Sequence, residues 1–312
     1  MISRRQIWLL AVMIVCLPAV AMSATKPTGL VLTPAFQTVQ IKTNDGRLPF
    51  ELSITNRDTS AQTFALSAID FGSLDEEGGV AFLGAPASEL EHKYGLAAWL
   101  ELSQKSVVVS PGQTVKVGVT IVNRPSLVAG GHYGAVLATA QLPGSAVKGE
   151  QVGVQQVLSS LILAVKEGAG GAKLDLKKTN WHHSFWRLPT EFKLGFGNSG
   201  TVHALPRGTV VVTDPWGRKV AQGELNEASS VILPETNRNY EVAMRTVARA
   251  WLPGRYTVSI NYRDDSQESF QVAHQSIWQA GAVVVWVAMV LAILSTAGLA
   301  WWLFERRRKR RR

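Results

Sequence analysis

The sequence predicts an all-β fold, two antiparallel β-sandwich domains in tandem, with one transmembrane helix near the C-terminus. Three observations predict it. Between two apolar ends, hydrophobic residues recur with period two rather than 3.6. A glycine-rich break at 167–172 divides these runs into two sets. An uncharged stretch, 280–304, then runs directly into a block of arginine and lysine.

The strand signals come in order. Phe50, Leu52 and Ile54 alternate with polar neighbours, as do Phe64, Leu66 and Ala68. Val115, Val117, Val119 and Ile121 form a longer run launched by Pro111-Gly112, and Tyr133, Ala135 and Leu137 another. Residues 157–165 are more continuously apolar. Strands of this kind, punctuated by Gly, Pro, Asn and Asp turns, bury one face of each sheet. After the break come Leu174-Leu176, Phe192-Leu194-Phe196, residues 209–213 and Tyr256-Val258-Ile260, the last again launched by a Pro-Gly pair, Pro253-Gly254. Each half approaches the ~100 residues of an immunoglobulin-like sandwich. The first half is longer, because alternation fails between Ile69 and Ser106. There Tyr94, Leu96, Trp99, Leu100 and Leu102 fall near helical spacing, so an inserted loop or short helix is expected near 70–105, where a rigid scaffold tends to carry binding residues.

Both ends read as membrane signals. Arg4-Arg5, the apolar run from Ile7 to Leu17 and the small residues after it make residues 1–24 a signal peptide, with Ala19-Val20-Ala21 and Ala21-Met22-Ser23 both suited to cleavage. Residues 278–304 are the expected span. As a helix the uncharged stretch reaches about 37 Å against a hydrocarbon core of ~30 Å. Trp278 and Trp286 mark one interface, and Trp301 and Trp302 the other. The basic tail 305–312, beginning Arg306, Arg307, Arg308 after Glu305, places the C-terminus in the cytoplasm and the bulk of the chain outside it. No LPxTG-like sorting motif precedes the stretch, so the helix is expected to remain as a lasting anchor in the cell membrane. Gly281 and Gly298 are too far apart for a small-xxx-small dimer motif.

The formal charge of +9 invites a nucleic-acid reading that its distribution excludes. Without Arg4, Arg5, the seven basic residues of 306–312 and Glu305, 23 basic residues face 22 acidic ones. No basic domain remains to hold a phosphate backbone. The one cysteine, Cys16, lies within the signal segment, so disulfides and thiol nucleophiles are not expected in the mature chain.

Catalytic signatures are missing: there is no G-x-S-x-G, H-E-x-x-H, phosphate loop or EF-hand loop. His182-His183 would point to opposite faces of a strand, and Trp181, Phe185 and Trp186 around them indicate a surface loop. Asp75-Glu76-Glu77 reads as a solvated turn and Asp264-Asp265 as a hairpin turn. No enzyme activity, metal or cofactor is expected. Aromatic rings are the remaining candidates for binding. Tyr94 and Trp99 in the insertion, with His132 and Tyr133 beside Gly130-Gly131, form either a stacking platform for a glycan or peptide, or part of the core.

Two longer motifs carry a resemblance. The run from Ser110 to Pro125, followed by Gly130-Gly-His-Tyr-Gly-Ala-Val-Leu, resembles the first domain of the WxL-interacting protein family. Gly197-Asn-Ser-Gly-Thr-Val-His-Ala-Leu-Pro-Arg-Gly, with Asp214-Pro-Trp-Gly-Arg-Lys-Val, is similar to its second domain. That resemblance implies a bacterial surface protein with two immunoglobulin-like domains, a peptidoglycan-binding first domain, a second that contacts proteins, and a C-terminal anchor. The run Phe50-Glu-Leu-Ser-Ile-Thr-Asn-Arg is also similar to the two-domain periplasmic pilus chaperones, which are soluble.

The sequence therefore divides into a signal peptide (1–24), a first sandwich (25–166), a linker (167–172), a second sandwich (173–275), a span (278–304) and a tail (305–312). The expected function is a membrane-anchored surface scaffold that binds cell-wall polymer or a partner protein. The alternative is a chaperone-like assembly module that pairs strands with a secreted partner.

Overall fold

The computed structural model describes residues 29–310 except 90, 142–155, 169 and 183. The signal peptide with Cys16, His183 of the histidine pair, one residue of the linker and the last two residues of the tail lie outside the described residues.

The chain up to the break forms two facing sheets from β1 (Leu30–Thr33), β2 (Phe36–Ile41), β3 (Arg47–Asn56), β4 (Gln62–Ser73), β5 (Val80–Gly84), β6 (Leu100–Leu102), β7 (Ser106–Val109), β8 (Thr114–Val122), β9 (Gly130–Gln141) and β10 (Val157–Lys166). One sheet has the order β1-β3-β8-β6; the other runs β2-β10-β9-β4-β5, with β7 also on β4. Phe64, Leu66, Val136, Ala138, Ile162 and Ala164 from the larger sheet meet Leu52, Ile54, Val117, Val119 and Ile121 from the smaller one in a common core. The period-two pattern thus marks the inward faces.

Among the strands named here, pairing is antiparallel with one exception. The chain leaves the β1–β3 pair at Pro34, crosses to the other sheet, and β2 then lies parallel to β10 from Phe36↔Leu161 to Ile41↔Lys166. A strand that changes sheets while holding its direction meets its new neighbour with that neighbour's sense. The stretch between Ile69 and Ser106, where alternation fails, is built of short elements. It contains the β4–β5 hairpin, a short 3-10 turn at Ala97–Trp99 and β6. Asp70 organises it: the buried carboxylate accepts the backbone amides of Leu96 and Ala97 at 2.7 Å each and lies 2.8 Å from His92 Nδ1.

A second pair of sheets follows from β11 (Leu174–Trp181), β12 (Glu191–Asn198), β13 (Pro206–Thr213), β14 (Lys219–Leu225), β15 (Thr236–Ala243), β16 (Arg245–Thr246), β17 (Gly254–Asp264) and β18 (Gln271–Gln279). Its sheets run β11-β12-β15 and β16-β14-β13-β17-β18. Phe192, Leu194 and Phe196 pack against Val210, Val212, Val258 and Ile260, with the Phe196 ring edge-on to Tyr240 and Tyr262.

One polar device recurs. Asn56 closes β3, and its side-chain amide donates to the carbonyls of Ser60 and Val109 while its oxygen accepts from Asp58 N. Asn198 closes β12 in the same way, donating to Val202 and Ile232 and accepting from Gly200 N. Both are buried, and both satisfy backbone groups that the end of a strand would leave unpaired. Asn198 lies in the Gly197 motif and Asn56 in the run from Phe50 to Arg57.

Helix α1 (Gly281–Arg310) follows β18 after Ala280 alone. It is long and apolar enough to cross a membrane, and its apolar side chains are exposed. Trp278 is not on it, in contrast to the expected span of 278–304; it lies on β18 opposite Arg255. Trp286, Trp301 and Trp302 are on the helix, which continues through Arg306, Arg307 and Arg308 to Arg310.

Candidate functional site

Several odd-numbered residues of β4, β9 and β10 in the larger N-terminal sheet point away from its core and are nevertheless apolar. Ile69 and Phe71 of β4, Tyr133 and Ala135 of β9, and Leu163 of β10 form a small cluster, against which Val231 and Leu233 of the β14–β15 connection pack. The sheet is therefore covered on its outer face by the second sheet pair. This corrects the stacking-platform expectation. Trp99, His132 and Tyr133 are 3%, 2% and 1% exposed, so none offers a free ring face. Trp99 donates its indole N–H to Ser126 Oγ at 3.2 Å, and the two ring nitrogens of His132 lie 2.9 Å from the carbonyls of Gly95 and Val128. Burial pushes the Tyr133 hydroxyl far above its ordinary range; it sits 3.5 Å from His203 Nδ1, and burial pushes that imidazole down. Tyr94 alone of the four is half-buried, against Tyr133 and under Lys93 Nζ.

Polar contacts close the rim of this junction. The Asp75-Glu76-Glu77 turn at the tip of the β4–β5 hairpin is not merely solvated. Glu77 accepts from Lys193 Nζ at 2.7 Å and from Asn239 Nδ2 at 3.0 Å, while the Glu76 carbonyl accepts the Asn239 amide at 2.6 Å. The Lys193 hydrogen bond holds the Glu77 carboxyl below its ordinary range. On the other flank Lys93 pairs with Glu235 at 2.5 Å and lowers its carboxyl, and Gly131 N donates to Thr201 O at 2.9 Å. Nothing in the spacing of these residues pairs them across 70 positions or more, so sequence reasoning missed them.

Between the flanks lies a cavity of 490 Å3, lined by Phe36, Phe71, Val80, Leu161, Leu163 and Arg238 among others. Size and apolar walls suit a side chain or short segment of a ligand. A second cavity of 300 Å3 opens beside Tyr94, Phe71 and Leu233. The first cavity adjoins an incomplete sheet edge. β10 pairs with β9 from Val157 onward, but β2 covers it only from Leu161 to Lys166. Leu161 N donates toward the β2 side, to Ala35 O. By the alternation of a strand, the Ser159 N–H points the same way, beyond the reach of β2. Among the described residues no strand pairs with Val157–Ser159 on that side, so this edge can accept one more strand, and its outward residues lead along β10 to Leu161 in the cavity wall; Ser160 Oγ is already taken, donating to Pro34 O at 2.7 Å.

Among the described residues no group of His, Cys, Asp and Glu is placed to hold a metal ion. Asp264 opens the β17–β18 hairpin turn, as the sequence suggests, and its buried carboxylate accepts the amides of Leu205 at 2.6 Å and Ser266 at 3.1 Å.

No family model matches the chain, and no curated protein matches it. Among solved structures it is similar to a chain of the chaperone–tip adhesin complex of CFA/I fimbriae, at 12% identity over 82% of this chain and 100% of that one, with a TM-score of 0.44. It is also similar to the class 5 fimbriae chaperone CfaA, at 10% identity over 79% and 99% of the two chains, TM-score 0.40. A third likeness is to a chain of the CsuC–CsuE pre-assembly complex from Csu pili of Acinetobacter baumannii, at 13% identity over 79% and 98%, TM-score 0.40. None of these bears on the WxL-interacting resemblance, and at such identities and scores they say nothing of this chain's partner. What the geometry itself offers is a β-sandwich protein with an apolar cleft beside a strand edge that is unpaired among the described residues, ahead of a helix able to cross a membrane.

Proposed function

We propose that the chain is a single-pass membrane protein whose two immunoglobulin-like domains, on the extracytoplasmic side, bind a protein partner by strand pairing, in the manner of an assembly chaperone. The observation that carries this reading is the edge of β10 at Val157–Ser159, unpaired on the β2 side among the described residues, beside the 490 Å3 apolar cavity. An added strand supplies main-chain hydrogen bonds, and a pocket for alternate side chains supplies selectivity. The basic end of α1 supports a cytoplasmic C-terminus through the positive-inside bias. The burial of Trp99, His132 and Tyr133 favours this reading over a glycan platform.

Proline at Ser159 tests it. The substitution removes only an amide that points to the open side, which an edge strand tolerates. The expected result is an unchanged thermal transition of the full-length protein with loss of a secreted partner that otherwise co-purifies until denaturant is added. Full retention of that partner by the Ser159→Pro protein contradicts strand pairing at β10.

A further inference from the structure

The end of the second sheet pair that faces α1 has a composition unlike the rest of its surface. Four connections meet there: 182–190 between β11 and β12, 214–218 between β13 and β14, 244–253 around β16, and Ala280. They share one end because Thr213 pairs with Thr257, Glu191 with Ala243, and Gly254 with Gln279. They carry exposed aromatic rings at Phe185, Trp186, Trp216 and Trp251, and Trp278 lies at the edge of β18; Trp216 is 72% exposed and Trp186 60%. The same connections hold four arginines, Arg187, Arg218, Arg245 and Arg249, against the single carboxylate Asp214, which Arg218 already engages at 2.8 Å. Arg249 lies 4.6 Å over the Trp251 ring.

This end is held at the start of the helix. Ala280 N donates to Phe185 O at 2.9 Å, and Val283 N to Trp251 O at 3.0 Å. Gly281 adopts φ +69° with the Leu252 backbone so close that a Cβ would meet it at 2.4 Å, so the helix leaves the sheet in a fixed direction. With one residue between strand and helix, the aromatic loops cannot stand away from a membrane that α1 crosses. A groove of 470 Å3 runs between them and the helix, with Trp186, Arg187, Arg249, Trp286 and Met289 in its walls.

We infer that this end of the molecule is a second membrane-contact surface: the rings of Phe185, Trp186, Trp216 and Trp251 enter the lipid interface, and the groove at Arg187 and Arg249 takes the phosphate of an anionic phospholipid. Tryptophan favours that level of a bilayer, and arginine is the side chain best shaped for phosphate. The lipid's acyl chain would follow Trp286 and Met289 along α1. The surface rests on the reading of α1 as a span, and it adds an orientation: the cleft and the β10 edge are presented at a fixed height above the membrane rather than on a swivelling tether.

The test uses the full-length protein with Cys16→Ala, in vesicles of phosphatidylcholine with or without phosphatidylglycerol. Single cysteines at Trp186→Cys, Trp216→Cys, Val108→Cys and Leu294→Cys carry a fluorophore, and brominated lipids quench it by depth. We expect shallow bromines to quench the labels at 186 and 216 at least threefold more than the label at 108, and deep bromines to quench the label at 294. Phosphatidylglycerol should raise quenching at 186, and R187E/R249E should abolish that rise while leaving quenching in pure phosphatidylcholine intact. Labels at 186 and 216 as unquenched as that at 108, with 294 quenched, overturn the collar but leave the span. An unquenched 294 overturns both. Shielding that grows with the protein-to-lipid ratio assigns the patch to a second copy of the chain and overturns the lipid assignment. An R187E/R249E protein that responds to phosphatidylglycerol as before overturns the phosphate site.

Discussion

Glu77 Oε1 lies 2.7 Å from Lys193 Nζ, joining the tip of the β4–β5 hairpin to the outer face of the β11-β12-β15 sheet. Together with the Asn239 contacts, this pair makes an acidic turn into a clasp between two sheet pairs. Reversing one charge should loosen the clasp, and reversing both should restore it. Glu77→Lys is expected to speed proteolytic cleavage in the 167–172 segment several-fold, and Glu77→Lys with Lys193→Glu to return it toward the original rate. Equal cleavage of all three proteins would remove the clasp from the account.

The matched pair Asn56 and Asn198 predicts matched costs. Asn56 serves three backbone groups and Asn198 four, and alanine leaves buried groups unpaired at about 1–3 kcal/mol each. Chemical denaturation of Asn56→Ala and Asn198→Ala should show losses of ~2–4 kcal/mol in each case. If the two sheet pairs unfold separately, each substitution should move only its own transition.

Acid should weaken the junction in two stages. His203 is pushed down from 6.5 by burial, so the unfolded chain binds its proton more readily than the folded one. Stability therefore rises with pH in that window, is full above 6.5, and declines as pH falls below it. Glu77 and Glu235 are lowered from 4.5, so their contribution is present above that value and is lost at lower pH as they protonate. Thermal melts from pH 8 to 3 should show an early decline that His203→Gln removes, with the later acid loss unchanged. An identical pH profile for the His203→Gln protein would place the first stage elsewhere.

Asp70 should matter to the insertion far more than its neighbours in the acidic turn. Its carboxylate holds two buried amides of the 95–97 segment, and Gly95 lies so close that a Cβ would meet Asp70 Oδ2 at 2.5 Å. Asp70→Ala is expected to cost at least ~2 kcal/mol in denaturant titrations and to accelerate amide exchange at Leu96 and Ala97. Unaltered exchange at those amides contradicts the assignment.

Much of the architecture was legible because strand periodicity is local. Phe192-Leu194-Phe196 and Val115 to Ile121 show their inward residues directly, and the uncharged stretch with its basic end announces α1. Periodicity does not say whether the other face of a strand is also covered. On β9, Val136 and Ala138 face the core while Tyr133 and Ala135 lie under the second sheet pair, so rings suited to a platform are internal. The partners of Glu77 and Glu235, and the parallel seat of β2 on β10, depend on how distant segments meet. No spacing in the sequence records that.

Strand pairing at β10 is tested most directly by its register. A photoreactive side chain placed in turn at Val157 and at Ser159 of the full-length membrane protein should crosslink to a single extended segment of one partner, at positions two residues apart and in constant order. Crosslinks scattered over the partner, or capture from other surfaces with none from 157 and 159, would contradict the central claim.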